Sequence, residues 1–94
     1  MLFHIHCQDK PGSSDVRAAN RPDHLEYLKS FGAKLRLAGP TIADDGETVT
    51  GSILIIEADD MAGAEDFAAG DPYAKAGLFQ STAINPIRIT IPAD

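Results

Sequence analysis

The sequence predicts an α+β fold, a four-stranded antiparallel sheet with two helices packed on one of its faces. Three observations predict it. Runs rich in β-forming residues recur four times, two stretches with helical spacing and capping residues separate them, and Gly, Pro and Asp clusters mark the junctions. The resulting order is βαββαβ.

"LFHIHC", residues 2–7, is rich in β-formers and followed by the breaker stretch "QDKPGSS", which makes it the first strand. Ser13 or Ser14 can cap a helix, and Asp15 in its first turn is favourable to the helix dipole. This helix is expected to run to Ser30 or Phe31, with Gly32 ending it. Pro22 lies inside that span, where proline removes a backbone hydrogen bond and clashes with the preceding turn. Either the helix kinks at Pro22, or a first piece ends near Ala19 and Asn20 caps a second.

"KLRLAGP", 34–40, is apolar and ends in Gly-Pro, giving the second strand, and "ADDGET" supplies the Asp-Gly of a turn. "VTGSILIIEA", 49–58, is a long third strand whose "ILII" is apolar on both faces, as in a strand covered on two sides. Asp59 or Asp60 caps a second helix, "MAGAEDFAA", ended by Gly70. Asp71-Pro72 reads as a fresh cap followed by proline at the first helical position, so "DPYAKAG" adds a short helical turn. "STAINPIRITI", 81–91, is the last strand, with Ile87, Ile89 and Ile91 on one face.

This is the ferredoxin-like split unit. Both helices cover one sheet face and leave the other open, although "ILII" carries apolar residues on both. The chain has no spare element to cover the open face, so a second copy is its simplest cover.

At 94 residues the chain is expected to be one domain, 1–94, and a domain this small buries only about 60–65% of its unfolded surface. Oligomerisation would supplement that margin. A net charge of −6 without a basic run argues against nucleic acid and anionic membranes as partners. The single cysteine, Cys7, excludes an intramolecular disulfide, and the lack of a leader or long apolar segment makes the cytoplasm the expected location. His4, His6 and Cys7 are the only close set of metal-ligand types. On a strand His4 and His6 share a face while Cys7 points to the other, so no metal site is expected.

"NRPDHLEYL", 20–28, carries the chemistry. At about 100° per residue, Arg17, Arg21, His24, Leu25, Leu28 and Phe31 fall within an arc of roughly 120°, so a polar trio shares the apolar stripe. An arginine buried without a partner costs several kcal/mol, which calls for an anionic partner, solvent or a bound anion. Histidine is cheaper to bury and can exchange protons near neutral pH. The plainer alternative is that the arginines run along the helix rim and His24 is a satisfied core imidazole. Asp71 is a candidate anionic partner or a simple N-cap; Tyr73 is a phenol donor or a core aromatic; Ser52, in "TGS", lines a pocket or faces solvent. Serine-hydrolase elbows, phosphate-cradling glycine loops and paired-cysteine motifs are missing from the sequence.

"RPDHLEYL", "LAGP", "TGS" and "DPYAKAGLF", in that order and after the opening "MLFHIHCQDKPGS", resemble the YCII family of small bacterial proteins, over Met1 to about Ile91. The resemblance implies a ferredoxin-like fold in the dimeric α/β-barrel superfamily, and a catalytic His-Asp pair in a cleft beside the sheet near the dimer interface. The family's histidine matches His24 and its aspartate matches Asp71. A related enzyme eliminates HCl from a chlorinated hydroxyhydroquinone, and muconolactone isomerase, more distant, moves protons on a small lactone. His4, His6 and a short 41–48 turn depart from the family pattern.

The expectation is thus a lyase or isomerase step without metal or cofactor, on a small anionic or aromatic ligand. His24 and Asp71 would be catalytic, with Arg17, Arg21, Ser52 and Tyr73 binding the ligand. The assembly would be a homodimer that could assemble further. The competing reading is a non-catalytic dimeric protein that binds a small anionic metabolite.

Overall fold

Period-two alternation in "LFHIHCQD" puts Phe3, Ile5 and Cys7 on one side of a strand and Leu2, His4 and His6 on the other. In the computed structural model the first set is buried and the second half-buried. Residues 1–92 are described; 93 and 94, the end of the expected domain, lie outside the described residues. The elements are β1 (Leu2–Asp9), α1 (Ser14–Lys29), a 3-10 turn (Gly32–Lys34), β2 (Leu35–Ile42), β3 (Val49–Glu57), α2 (Met61–Gly70), α3 (Pro72–Lys75) and β4 (Phe79–Ile87). The sheet order is β2-β3-β1-β4, antiparallel throughout, which is the ferredoxin-like arrangement.

Directly paired residues share a face. Phe3 pairs with Ile56, Ile5 with Leu54 and Cys7 with Ser52, so this side of the sheet points at the helices. Together with Leu28, Ala64 and Phe67, the apolar members of these pairs form the buried core. A fully buried Phe, Ile or Leu side chain contributes about 1.5–3 kcal/mol. Stability therefore concentrates where α2 and the C-terminal half of α1 meet the sheet. The other face carries Leu37, Ile53, Ile55, Ala83 and Ile87 around His4 and His6, and Leu37 is 49% exposed.

α1 is one continuous helix, so the two-piece alternative at Pro22 does not hold. Pro22 is exposed, so its ring and the missing bond face away from the core, while His24 and Leu28 anchor the helix two and six residues later. Ser13 occupies the N-cap position, but its hydroxyl donates to the Lys10 carbonyl instead of capping. Asp60 caps α2 by accepting from the Gly63 N–H at 2.9 Å.

β4 begins and ends earlier than the sequence suggests, at Phe79–Ile87 instead of 81–91. Leu2, at the start of β1, pairs with Ile87, so β1 has no residue left to pair with 88–91. The alternation of "IRITI" is real but has no partner strand, and Ile91 is 88% exposed. Pro86 is tolerated because β4 is an edge strand, where a missing N–H can face outward. None of the described helices is long and apolar enough to cross a membrane.

Candidate active site

α3 exists because Asp71 caps it, Pro72 pre-sets the first helical φ, and Gly77 at φ +73° ends the turn in a region that disfavours side chains. This short turn packs against α1 and delivers Asp71 and Tyr73 to the inner side of "RPDHL". His24 Nδ1 lies 2.8 Å from Asp71 Oδ1, and the same oxygen accepts the Tyr73 N–H at 2.9 Å. The cap and the histidine partner are therefore one carboxylate. His24 is 7% exposed and Asp71 3%.

A carboxylate is an acceptor, so Nδ1 is the donor in this contact, which fixes the ring's orientation and turns Nε2 away from Asp71. Among the described residues Nε2 has no hydrogen-bond partner and no buried side-chain nitrogen or oxygen lacks one, so Nε2 is open to solvent-accessible space. That space is a cavity of about 900 Å³ beneath α1, over β2 and β3. Leu25, Leu28, Leu54, Ala38, Pro40 and Val49 give it apolar walls. A second concavity, about 580 Å³ near Met1, is lined by Arg36 and Arg88 and, among the described residues, by no histidine, cysteine or carboxylate.

Arg17, Arg21, His24, Ser52 and Tyr73 all line the large cavity, and Asp71 lies behind His24. The Tyr73 ring stacks on the imidazole with centroids 3.8 Å apart and planes 13° from parallel. Ser52 Oγ accepts from Arg17 Nη2 at 2.9 Å, so it faces the cavity and not bulk solvent. Next to it, Gly51 lets β3 approach β1 closely, since a Cβ there would lie 2.0 Å from the Cys7 carbonyl oxygen. Arg21 is exposed at the rim, in contrast to the buried place its helical angle suggests, because the cavity opens to solvent on that side.

Asp9 escaped the sequence reading. It accepts from Arg17 Nε at 2.8 Å and from Nη2 at 2.9 Å. The signal was available: alternation from Phe3, Ile5 and Cys7 carries on to Asp9 if the strand is extended by two residues into "QD". Burial opposes the Arg17 charge, and Asp9 more than offsets it, so the guanidinium is held charged and its ionisation pushed up. Burial likewise raises the Tyr73 phenol, against the lowering pull of Arg17 and Arg21, so the phenol stays protonated at neutral pH. Cations dominate the described lining, with Lys10, Arg17 and Arg21 against one carboxylate, Asp9. His4 and His6 lie on the opposite sheet face from Cys7 and from this cavity.

The YCII-related domain model matches residues 1–88. A protein of Haemophilus influenzae is 37% identical over 95 residues, covering 94% of this chain and 97% of its own length. Protein YciI of Escherichia coli is 35% identical over 95 residues, with the same coverage. Among solved structures, 5-chloro-2-hydroxyhydroquinone dehydrochlorinase (TftG) from Burkholderia phenoliruptrix, in complex with 2,5-dihydroxybenzoquinone, is similar with a TM-score of 0.88. It shares 40% identity over 94% of both chains. The domain match runs from the first residue to just past the end of β4, taking in the whole sheet and both sides of the His24–Asp71 contact, and on that ground the chain belongs to the YCII family.

Proposed function

We propose that this protein is a small-molecule enzyme of lyase or isomerase type. His24 exchanges the proton, Asp71 orients its imidazole, and the substrate is a small, anionic, hydroxylated aromatic compound. The carrying observation is the buried 2.8 Å contact between His24 Nδ1 and Asp71, which leaves Nε2 free at a cavity wall. A hydrogen bond to a charged group contributes about 1.5–3 kcal/mol, enough to hold one tautomer. A base fixed in this way can take a proton from a ring hydroxyl or carbon and return it elsewhere.

The negative charge that develops needs cations and donors, and Arg21, the Tyr73 phenol, Ser52 and Arg17 line the same space. Proton transfer and charge stabilisation are within the reach of these side chains alone. The apolar walls suit a planar ring. The 40% identity to a dehydrochlorinase solved with a dihydroxybenzoquinone supports both the reaction type and the ligand class. We infer further that a second copy covers the open sheet face, where the charged side chain at a paired position, Glu57, is ion-paired with Arg36, and that the dimer works in the cytoplasm.

Incubation with 5-chloro-2-hydroxyhydroquinone, followed by mass spectrometry and chloride release, tests the reading. Loss of HCl supports catalysis. A ligand retained with unchanged mass supports instead a non-catalytic dimeric binding protein, which the same arginines would serve.

A further inference from the structure

Among the cations lining the cavity, Arg17 alone forms an ion pair with a carboxylate among the described residues. The Arg17 and Asp9 side chains are 14% and 9% exposed. Two parallel N–H bonds onto one carboxylate fix the plane of a guanidinium as well as its position. Its remaining contacts follow from that plane: Nη2 also reaches Ser52, and the guanidinium carbon lies 4.6 Å from the centroid of the Tyr73 ring. Tyr73 in turn stacks on His24. The register of β1 against β4 shifts between Gln8 and Asp9, an irregularity of the kind that re-aims a side chain at a strand end.

We propose that Asp9 is a positioning residue of this site: it holds Arg17 against Ser52 and the Tyr73 ring, and so fixes the ring on which the His24 imidazole rests. What the ring is fixed for rests on the proposed function; the chain of contacts does not. Holding Arg17 also leaves Arg21 as the guanidinium free to meet the anionic group of a ligand.

A different role for Asp9, simple neutralisation of Arg17, makes the opposite prediction for Tyr73. Arg17 pulls the pKa of the Tyr73 phenol down. If Asp9 holds Arg17 in place, Asp9→Asn lets the guanidinium leave and the phenol midpoint rises, as it does in Arg17→Met. If Asp9 only neutralises, Arg17 stays with its charge uncompensated and the midpoint falls.

The chain has two tyrosines and no tryptophan, so Tyr27→Phe leaves Tyr73 as the one phenol, read in the tyrosine band of the circular dichroism and in the titration. In that background, near-ultraviolet circular dichroism and an absorbance titration of the phenol are measured for Asp9→Asn, Arg17→Met and the double variant. The expected result is loss of most of the Tyr73 signal in each single variant, no further loss in the double, and a raised midpoint in all three, with cooperative melting retained. A wild-type Tyr73 signal or a lowered midpoint in Asp9→Asn overturns the proposal. Should Asp9→Asn fail to fold, Arg17→Lys keeps the charge pair but not the planar fork. It is expected to lose the signal too, and a wild-type signal there is equally fatal. Binding of 2,5-dihydroxybenzoquinone to the unmodified chain separates the two ideas: no binding, with the Tyr73 changes as expected, leaves Asp9 as the positioning residue and removes the substrate class.

Discussion

Asp71 shows how one side chain can satisfy two readings. As an N-cap it binds the Tyr73 N–H, and with the same oxygen it binds His24. The helix start and the orientation of the histidine are thus built together. Cys7 lies on the same side of the sheet but takes no part: burial, with Asp71 and Asp9 nearby, pushes its thiol up to about 11 against the hydrogen bond from Thr82 and the charge of Arg17. A thiol is nucleophilic only as the thiolate. Native protein at neutral pH is therefore expected to react with iodoacetamide only in step with unfolding. Rapid stoichiometric labelling of the folded chain, measured by mass, would contradict this burial.

At the scale of elements, β1, α1, β3, α2 and α3 were legible because their signals are local: alternation, capping residues and Pro at a first helical position. Two features were not. The end of β4 depends on where β1 begins, a pairing that no window around "IRITI" contains. The unbroken passage of α1 through Pro22 depends on tertiary anchoring by His24 and Leu28. Of the site, the His24 side was visible as a polar trio on an apolar stripe, whereas Asp9 was hidden because its stretch also reads as a turn.

The β2–β3 hairpin offers a pH test of its own. Asp45 accepts from the Thr48 hydroxyl and from the Thr48 and Glu47 N–H groups, which lowers its carboxyl to about 2 from an ordinary 3.8. Because the folded value is the lower one, the turn's contribution is complete above about pH 4 and is lost as the pH falls toward 2. The Glu47 and Thr48 amide resonances are expected to titrate together near that value. A midpoint at the ordinary carboxylate position would show that the turn does not hold the charge.

Across the whole molecule, the helical layer is uneven. Tight packing under α2 gives way to an open cavity under the N-terminal half of α1, so the chain forgoes burial where it places its polar groups. The opposite sheet face sets apolar side chains around His4 and His6 and is uncovered by any described element, and the proposed homodimer meets that need. Sedimentation should give a dimer for the wild type and a monomer for Leu37→Asp, with the far-ultraviolet spectrum unchanged. A wild-type monomer would leave the open face without its proposed cover.

The most direct test of the account is the rate of conversion of 5-chloro-2-hydroxyhydroquinone by the wild type, His24→Ala and Asp71→Asn. Turnover is expected for the wild type, with losses of about 10²–10⁴-fold in kcat/KM for the variants, both folded. Equal rates in all three proteins would contradict it.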